Sequence, residues 1–157
     1  MTEPPQGREH VIGSTTIRAS RGIQLPVAFT LRGEPVAKMR HRMANGHTYT
    51  PRETVEAQKA IAWAYRAAGG KMLDGPLQLH CAFLVRGRTS AAHLDPRDVD
   101  NLVKLVKDAL EGVAYSNDRR ITHVYAYKAR PEPGQDPCTI VTIGPVTPRA
   151  GNQTATA

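Results

Sequence analysis

Apolar residues along this chain change their period several times, and each change marks an element. Val27, Phe29 and Leu31 alternate with other residues behind Pro26, the pattern of a strand with proline at its entrance. Gly33 to Tyr49 shows no period and predicts a loop. A helix start follows, with Thr50 as N-cap, Pro51 at the first helical position and Glu53 completing a Thr-x-x-Glu capping box. Alanine-rich sequence carries this helix to Gly69-Gly70, where glycine supplies the stop. Leu77, Leu79, Cys81, Phe83 and Val85 share one face of a second strand. From about Val99 to Glu111 the period lengthens to that of a helix. Val99, Leu102, Val103, Val106, Ala109, Leu110 and Val113 form one stripe, while Asp100, Lys104, Lys107, Asp108 and Glu111 point away from it. Two more strands, about Ile121–Lys128 and Cys138–Ile143, complete the order β-α-β-α-β-β. This order predicts an α+β fold, a small mixed β-sheet with two helices on one face.

The periodic segment occupies residues 23–144, one domain in length; residues 1–22 and 145–157 are polar and aperiodic and read as mobile tails. No internal repeat is visible. Lys and Arg number 21 against 14 Asp and Glu, a formal charge of +7. That surplus favours a polyanionic partner, nucleic acid first and acidic membrane second. The N-terminal region has no apolar run of signal-peptide type, and no run approaches membrane-spanning length, so a cytoplasmic protein without a membrane partner is expected. Cys81 and Cys138 lie far apart in strand-like runs, which predicts buried thiols and neither a disulfide nor a zinc site.

Charge changes the picture most at Arg97-Asp98-Val99-Asp100-Asn101-Leu102-Val103-Lys104, where two carboxylates stand one residue apart in a basic chain. Asp98 falls at the N-cap of the second helix and Asp100 in its first turn, where exposed N–H groups favour either acid taken singly. The pair is less ordinary, because one cap needs one acid and the second adds like-charge repulsion. Magnesium would relieve that repulsion, since it takes one or two carboxylates together with waters and substrate phosphate. Lys104, four residues after Asp100 and on the same face, is either an i,i+4 partner or a cation beside a scissile phosphate. Asn101 is placed to orient a carboxylate or a metal-bound water, and Asp108 reads as a partner for Lys104 or a solvated acid. Position 102 is Leu and the glycine of an EF-hand loop is missing, which excludes that motif.

Asp118 lies in the polar turn Tyr115-Ser116-Asn117-Asp118-Arg119-Arg120. A helix from Asp100 to Gly112 rises roughly 18 Å, and six extended residues return about 20 Å at most. Asp118 therefore reaches the acidic pair only by an almost straight return, by an early helix end, or from a partner subunit.

Lys38, Arg40 and Arg42 alternate within the first loop, spacing that suits contacts to successive phosphates or, equally, a solvated charged loop. His41, Asn45 and His47 lack metal-ligand spacing and read as polar loop residues or DNA contacts. Trp63 projects among Arg52, Glu56, Lys59 and Arg66, opposite Ile61 and Tyr65, which suggests a ring covered by arginine and lysine stems, a base-stacking contact or, favoured over both, a subunit interface. His80 and His123 fall in strands and read as structural.

Two segments resemble the RusA family of Holliday junction resolvases. One is Gly33-x-Pro35-x-x-Lys38-x-Arg40-x-Arg42 with Tyr49-Thr50-Pro51. The other is Arg97-Asp98-x-Asp100-Asn101-Leu102-x-Lys104, continuing through Asp108-Ala109-Leu110-x-Gly112 to Asn117-Asp118-x-x-Ile121. The resemblance implies a RusA-like fold and a homodimer that binds four-way DNA junctions and makes paired nicks in recombination and repair, using magnesium, with manganese as a substitute and no small-molecule cofactor. It implies that Asp98, Asp100 and Asp118 bind the metal, that Lys104 is needed for cleavage, and that Arg97 is a basic DNA-binding residue beside them. Asn117 stands where some relatives carry another acid, and Met39 where many carry a small residue. The rival expectations are a branched-DNA-binding accessory protein without catalysis, or a small RNA-binding protein, against which the few aromatics speak.

Overall fold

The computed structural model describes residues 24–39, 42–44, 47–87 and 95–146. Residues 1–22, most of the C-terminal tail, Arg40, His41 and Asn45 lie outside the described residues.

Four strands form one mixed sheet: β1 (Val27–Arg32), β4 (Leu77–Leu84), β5 (Ile121–Ala129) and β6 (Cys138–Pro145), in the order β1-β6-β4-β5. β6 lies antiparallel to both β1 and β4, whereas β4 and β5 run parallel. Parallel neighbours need a crossover, and α2 (Val99–Leu110) supplies it between them. The other helix, α1 (Arg52–Ala67), packs on α2 and against β1. Both helices cover one sheet face, whose Phe29, Leu77, Leu79, Cys81, Phe83, Val141 and Ile143 form the core with Ile61, Tyr65, Leu102, Val106 and Leu110. Leu105 is buried as well, because α1 packs along the flank of α2 beside the predicted stripe. Both cysteines are free and buried, and burial pushes the Cys81 thiol up to about 12.

Two expectations need correction. The stretch Gly33–Tyr49 is not all loop: β2 (Arg42–Ala44) and β3 (His47–Tyr49) form an antiparallel hairpin, too short to display a period. Thr50 is not the N-cap of α1. Pro51 holds that position with extended ψ of 140°, and its carbonyl accepts the first intrahelical bond from the Val55 N–H at 3.2 Å. Proline fits there because a cap uses its carbonyl and has no intrahelical need for an N–H. α2 ends at Leu110 with Glu111 as its C-cap, as expected, and Gly112, at φ +75°, turns the chain out of the helix.

Thr54, on the inner face of α1, is fully buried and its hydroxyl meets no hydrogen-bond partner. An unmet buried hydroxyl costs on the order of 1–3 kcal/mol. Thr54→Val, which keeps the branched shape, is expected to raise stability by about 1 kcal/mol in urea unfolding. A lower midpoint would show that the hydroxyl has a partner in solution.

Candidate active site

The acidic pair sits where the sequence puts it, and a buried clamp holds it there. Asp98 occupies the N-cap position of α2, yet its carboxylate caps no backbone N–H; Asn101 Nδ2 approaches its Oδ2 at 3.4 Å. Asp100 stands exposed in the first turn and accepts from Lys104 Nζ at 2.9 Å. That hydrogen bond is the largest cause holding the Asp100 carboxyl below its ordinary range. Both acids thus face solvent as hard oxygen donors, which fits magnesium with its waters better than a closed protein cage. Among the described residues no three candidate ligands come together.

Just ahead of the pair, Asp95-Pro96-Arg97 folds into a tight turn. The Arg97 N–H donates to Asp95 Oδ1 at 3.0 Å, and the guanidinium meets both oxygens of the same carboxylate, Nε at 2.6 Å and Nη2 at 2.5 Å. Nη1 donates to Glu34 Oε2 and to the Pro35 carbonyl, both at 2.9 Å. Arg97, expected to hold DNA, therefore ties the Gly33–Lys38 segment to the entrance of α2. From β5, Lys128 Nζ donates to the carbonyls of Asp95 at 2.8 Å and Arg97 at 2.6 Å. Gly87, at φ +62°, lets the chain pass this turn: a Cβ there would stand 2.8 Å from Asp95 Oδ2.

The Arg97 guanidinium holds the Asp95 carboxyl down at about 2, against an ordinary 3.8, and Asp95 in turn raises Arg97. Only 2% of the Asp95 side chain is exposed. Because the folded value is depressed, the stabilisation is complete above the unfolded value and is lost as pH falls from about 4 through about 2. The shift corresponds to about 2 kcal/mol. Asp95→Asn is expected to lower the melting temperature at pH 7 by roughly 4–8 °C, with the difference from wild type vanishing towards pH 2. An equal deficit at pH 7 and pH 2 would contradict this origin.

The remaining predicted residues divide. Lys38 lies against α2, its N–H donating to the Asn101 carbonyl at 3.0 Å and its ammonium paired with Asp108. Asp108 is thus the partner of Lys38 and not of Lys104. Arg42 opens β2. Asp118 begins a single 3₁₀ turn, Asp118–Arg120, and pairs with Lys107 Nζ at 2.9 Å in the last turn of α2. Lys107 follows Asp100 by seven residues, about 10 Å along the axis, and Asp118 forms no common ligand group with Asp98 and Asp100 among the described residues. Trp63 is 71% exposed on the outer face of α1. His80 stacks on Tyr125, with ring centroids 4.6 Å apart, and His123 Nδ1 lies 3.0 Å from the Thr122 hydroxyl. The sequence reading missed Asp95, Glu34, Lys107 and Lys128. Only Asp95 left a local sign, the turn-forming Asp-Pro dipeptide.

An exposed acidic pair with a lysine one turn on thus stands at a helix entrance in a basic α+β domain, two hard oxygen donors and a cation on one helix face. The family model for endodeoxyribonuclease RusA matches residues 32–144, and the chain belongs to the RusA family. A comparison with curated proteins found no significant match.

Proposed function

We propose that this protein is a magnesium-dependent, structure-specific endonuclease that nicks opposing strands of four-way DNA junctions as a homodimer, serving recombination and repair in the cytoplasm. The observation that carries the reading is the solvent-facing Asp98/Asp100 pair beside Lys104 in a RusA-family chain. Asp98 and Asp100 would hold the metal, which when bound supplies a polarised water and charge neutralisation at the phosphodiester. Lys104, exposed and paired with Asp100, offers a cation to the developing charge on the phosphate. Lys38, docked beside Asn101, and the arginines that follow it in the sequence would supply backbone contacts without sequence preference. Arg97 acts through the clamp by fixing the approach to Asp98.

The rival, a branched-DNA binder without catalysis, draws on the failure of Asp118 to join the pair within one chain. A labelled four-way junction and a linear duplex of the same sequence, each incubated with and without magnesium, separate the two. Paired nicks in the junction alone, dependent on the metal, are expected. Tight junction binding with no cleavage in magnesium or manganese would overturn the catalytic reading.

A further inference from the structure

We infer that the sheet face turned away from the helices binds unpaired bases of single-stranded DNA, one base seated beside His80 to extend a ring stack and the next carried over Ala82 beside Tyr127. This surface lies apart from the acidic pair. It goes beyond the nuclease reading above and needs only that the chain meets DNA.

Both helices pack on one side of the sheet, and among the described residues no helix covers the other. Outward residues alternate with core residues along each strand, and on β4 and β5 they include His80, Tyr125 and Tyr127, all exposed. His80 and Tyr125 are register partners, and their rings stack with centroids 4.6 Å apart and planes 28° from parallel. Each ring spends one face on the other and keeps its second face open. On the free side of His80, towards β6, lies a cleft of about 180 Å³ lined by Pro26, Gln78, His80, Thr142 and Gly144. Gly144 lets Pro26 close in as one wall, since a Cβ there would stand 2.8 Å from the Pro26 Cα. Two residues further along β4, Ala82 lies between Tyr127 and Ile140 in the register, so a small side chain separates an exposed ring from an exposed aliphatic group.

A nucleobase entering the cleft continues the stack as a third ring. Its polar edge meets the Thr142 hydroxyl and the amide of Gln78, whose Nε2 also donates to the Pro145 carbonyl at 3.2 Å. Spacing selects an open strand. Tyr125 and Tyr127 stand two residues apart on β5, about 7 Å, whereas the bases of a duplex follow one another at about 3.4 Å. Paired and stacked bases cannot spread to that distance, and an extended single strand can. Charge points the same way. The four strands contain no Asp or Glu, and Arg32 closes the face at the end of β1, in register with Cys138. The loop after β5 offsets Glu132 and Asp136 with Arg130 and with Arg86, which lies 3.6 Å from Asp136. A cationic partner finds no carboxylate on these strands, and a purely apolar one would strip water from the Thr142 hydroxyl without replacing it. Membership of an endodeoxyribonuclease family makes DNA the polyanion.

Fluorescence anisotropy with a labelled oligothymidine strand tests this. Wild type should bind it at least about fivefold more tightly than an abasic strand of equal length, which offers the same phosphates without bases. Tyr127→Leu and His80→Leu keep apolar bulk but no ring. Each should weaken oligothymidine binding by about 5- to 100-fold and leave abasic binding unchanged. Tyr127→Phe, which keeps the ring, should stay within about twofold of wild type. Circular dichroism should show all three variants folded, since the side chains they alter are exposed. Equal affinity of wild type for the two strands would overturn the inference without recourse to any variant, and so would equal binding by Tyr127→Leu and Tyr127→Phe. Tighter binding of oligouridine than of oligothymidine would assign the face to RNA. A halved mass of Tyr127→Leu in light scattering would assign it to contact between copies, and either result overturns the proposal. None of these readouts requires cleavage, so they decide the matter even where the nuclease reading fails.

Discussion

Asp100→Asn is expected to lower the rate of junction cleavage by roughly 10³-fold or more while junction binding survives. Asparagine keeps the size of the side chain and its place in the first turn of α2, but carries no charge with which to hold a cation. The carboxylate is exposed and its one ion pair, with Lys104, is exposed as well, so the fold has little to lose. Thermal melting of the variant should therefore overlay that of wild type. Filter binding to the four-way junction should change by no more than a few-fold, since the Lys38–Arg42 segment is untouched, and removing an acid reduces repulsion of phosphate. Cleavage by Asp100→Asn at the wild-type rate would remove Asp100 from the chemistry.

The contrast between Asp100 and Asp118 shows what was legible in the sequence. Asp98, Asp100 and Lys104 could be placed because they share one helix, where spacing alone fixes the face and the turn. All four strands of the main sheet were visible for a similar reason: inward residues such as Leu77, Leu79, Cys81 and Phe83 repeat every second position against a helix-covered face. The hairpin of β2 and β3 has three residues per strand, fewer than two full periods, and left no such trace. The clamp was hidden differently. Glu34 and Arg97 lie 63 residues apart, and Lys128 lies 31 beyond Arg97, so their meeting depends on how β5 and the first loop pack around α2. A lone lysine in a strand gives no hint that its ammonium will be spent on two carbonyls. Asp118 belongs to this second kind: its separation from the pair is a tertiary fact, and chain-length arithmetic could only bound it.

Lys104→Met is expected to slow cleavage by about 10²–10³-fold, the scale for losing one group aimed at developing transition-state charge. Methionine keeps the unbranched stem and a similar helix propensity, so the exposed face of α2 is preserved. If Lys104 served only as the i,i+4 partner of Asp100, losing so exposed a pair would leave catalysis almost unchanged. A role beside the phosphate predicts instead that the loss falls on kcat, with the salt slope of junction binding reduced by about one at most. Lys104→Arg separates charge from shape. It retains the cation and the reach to Asp100, and it should recover part of the rate that methionine abolishes. Full activity in Lys104→Met would reduce the lysine to a surface ion pair, and equal loss in Lys104→Arg would mean that a compact ammonium is required where the guanidinium fork does not fit.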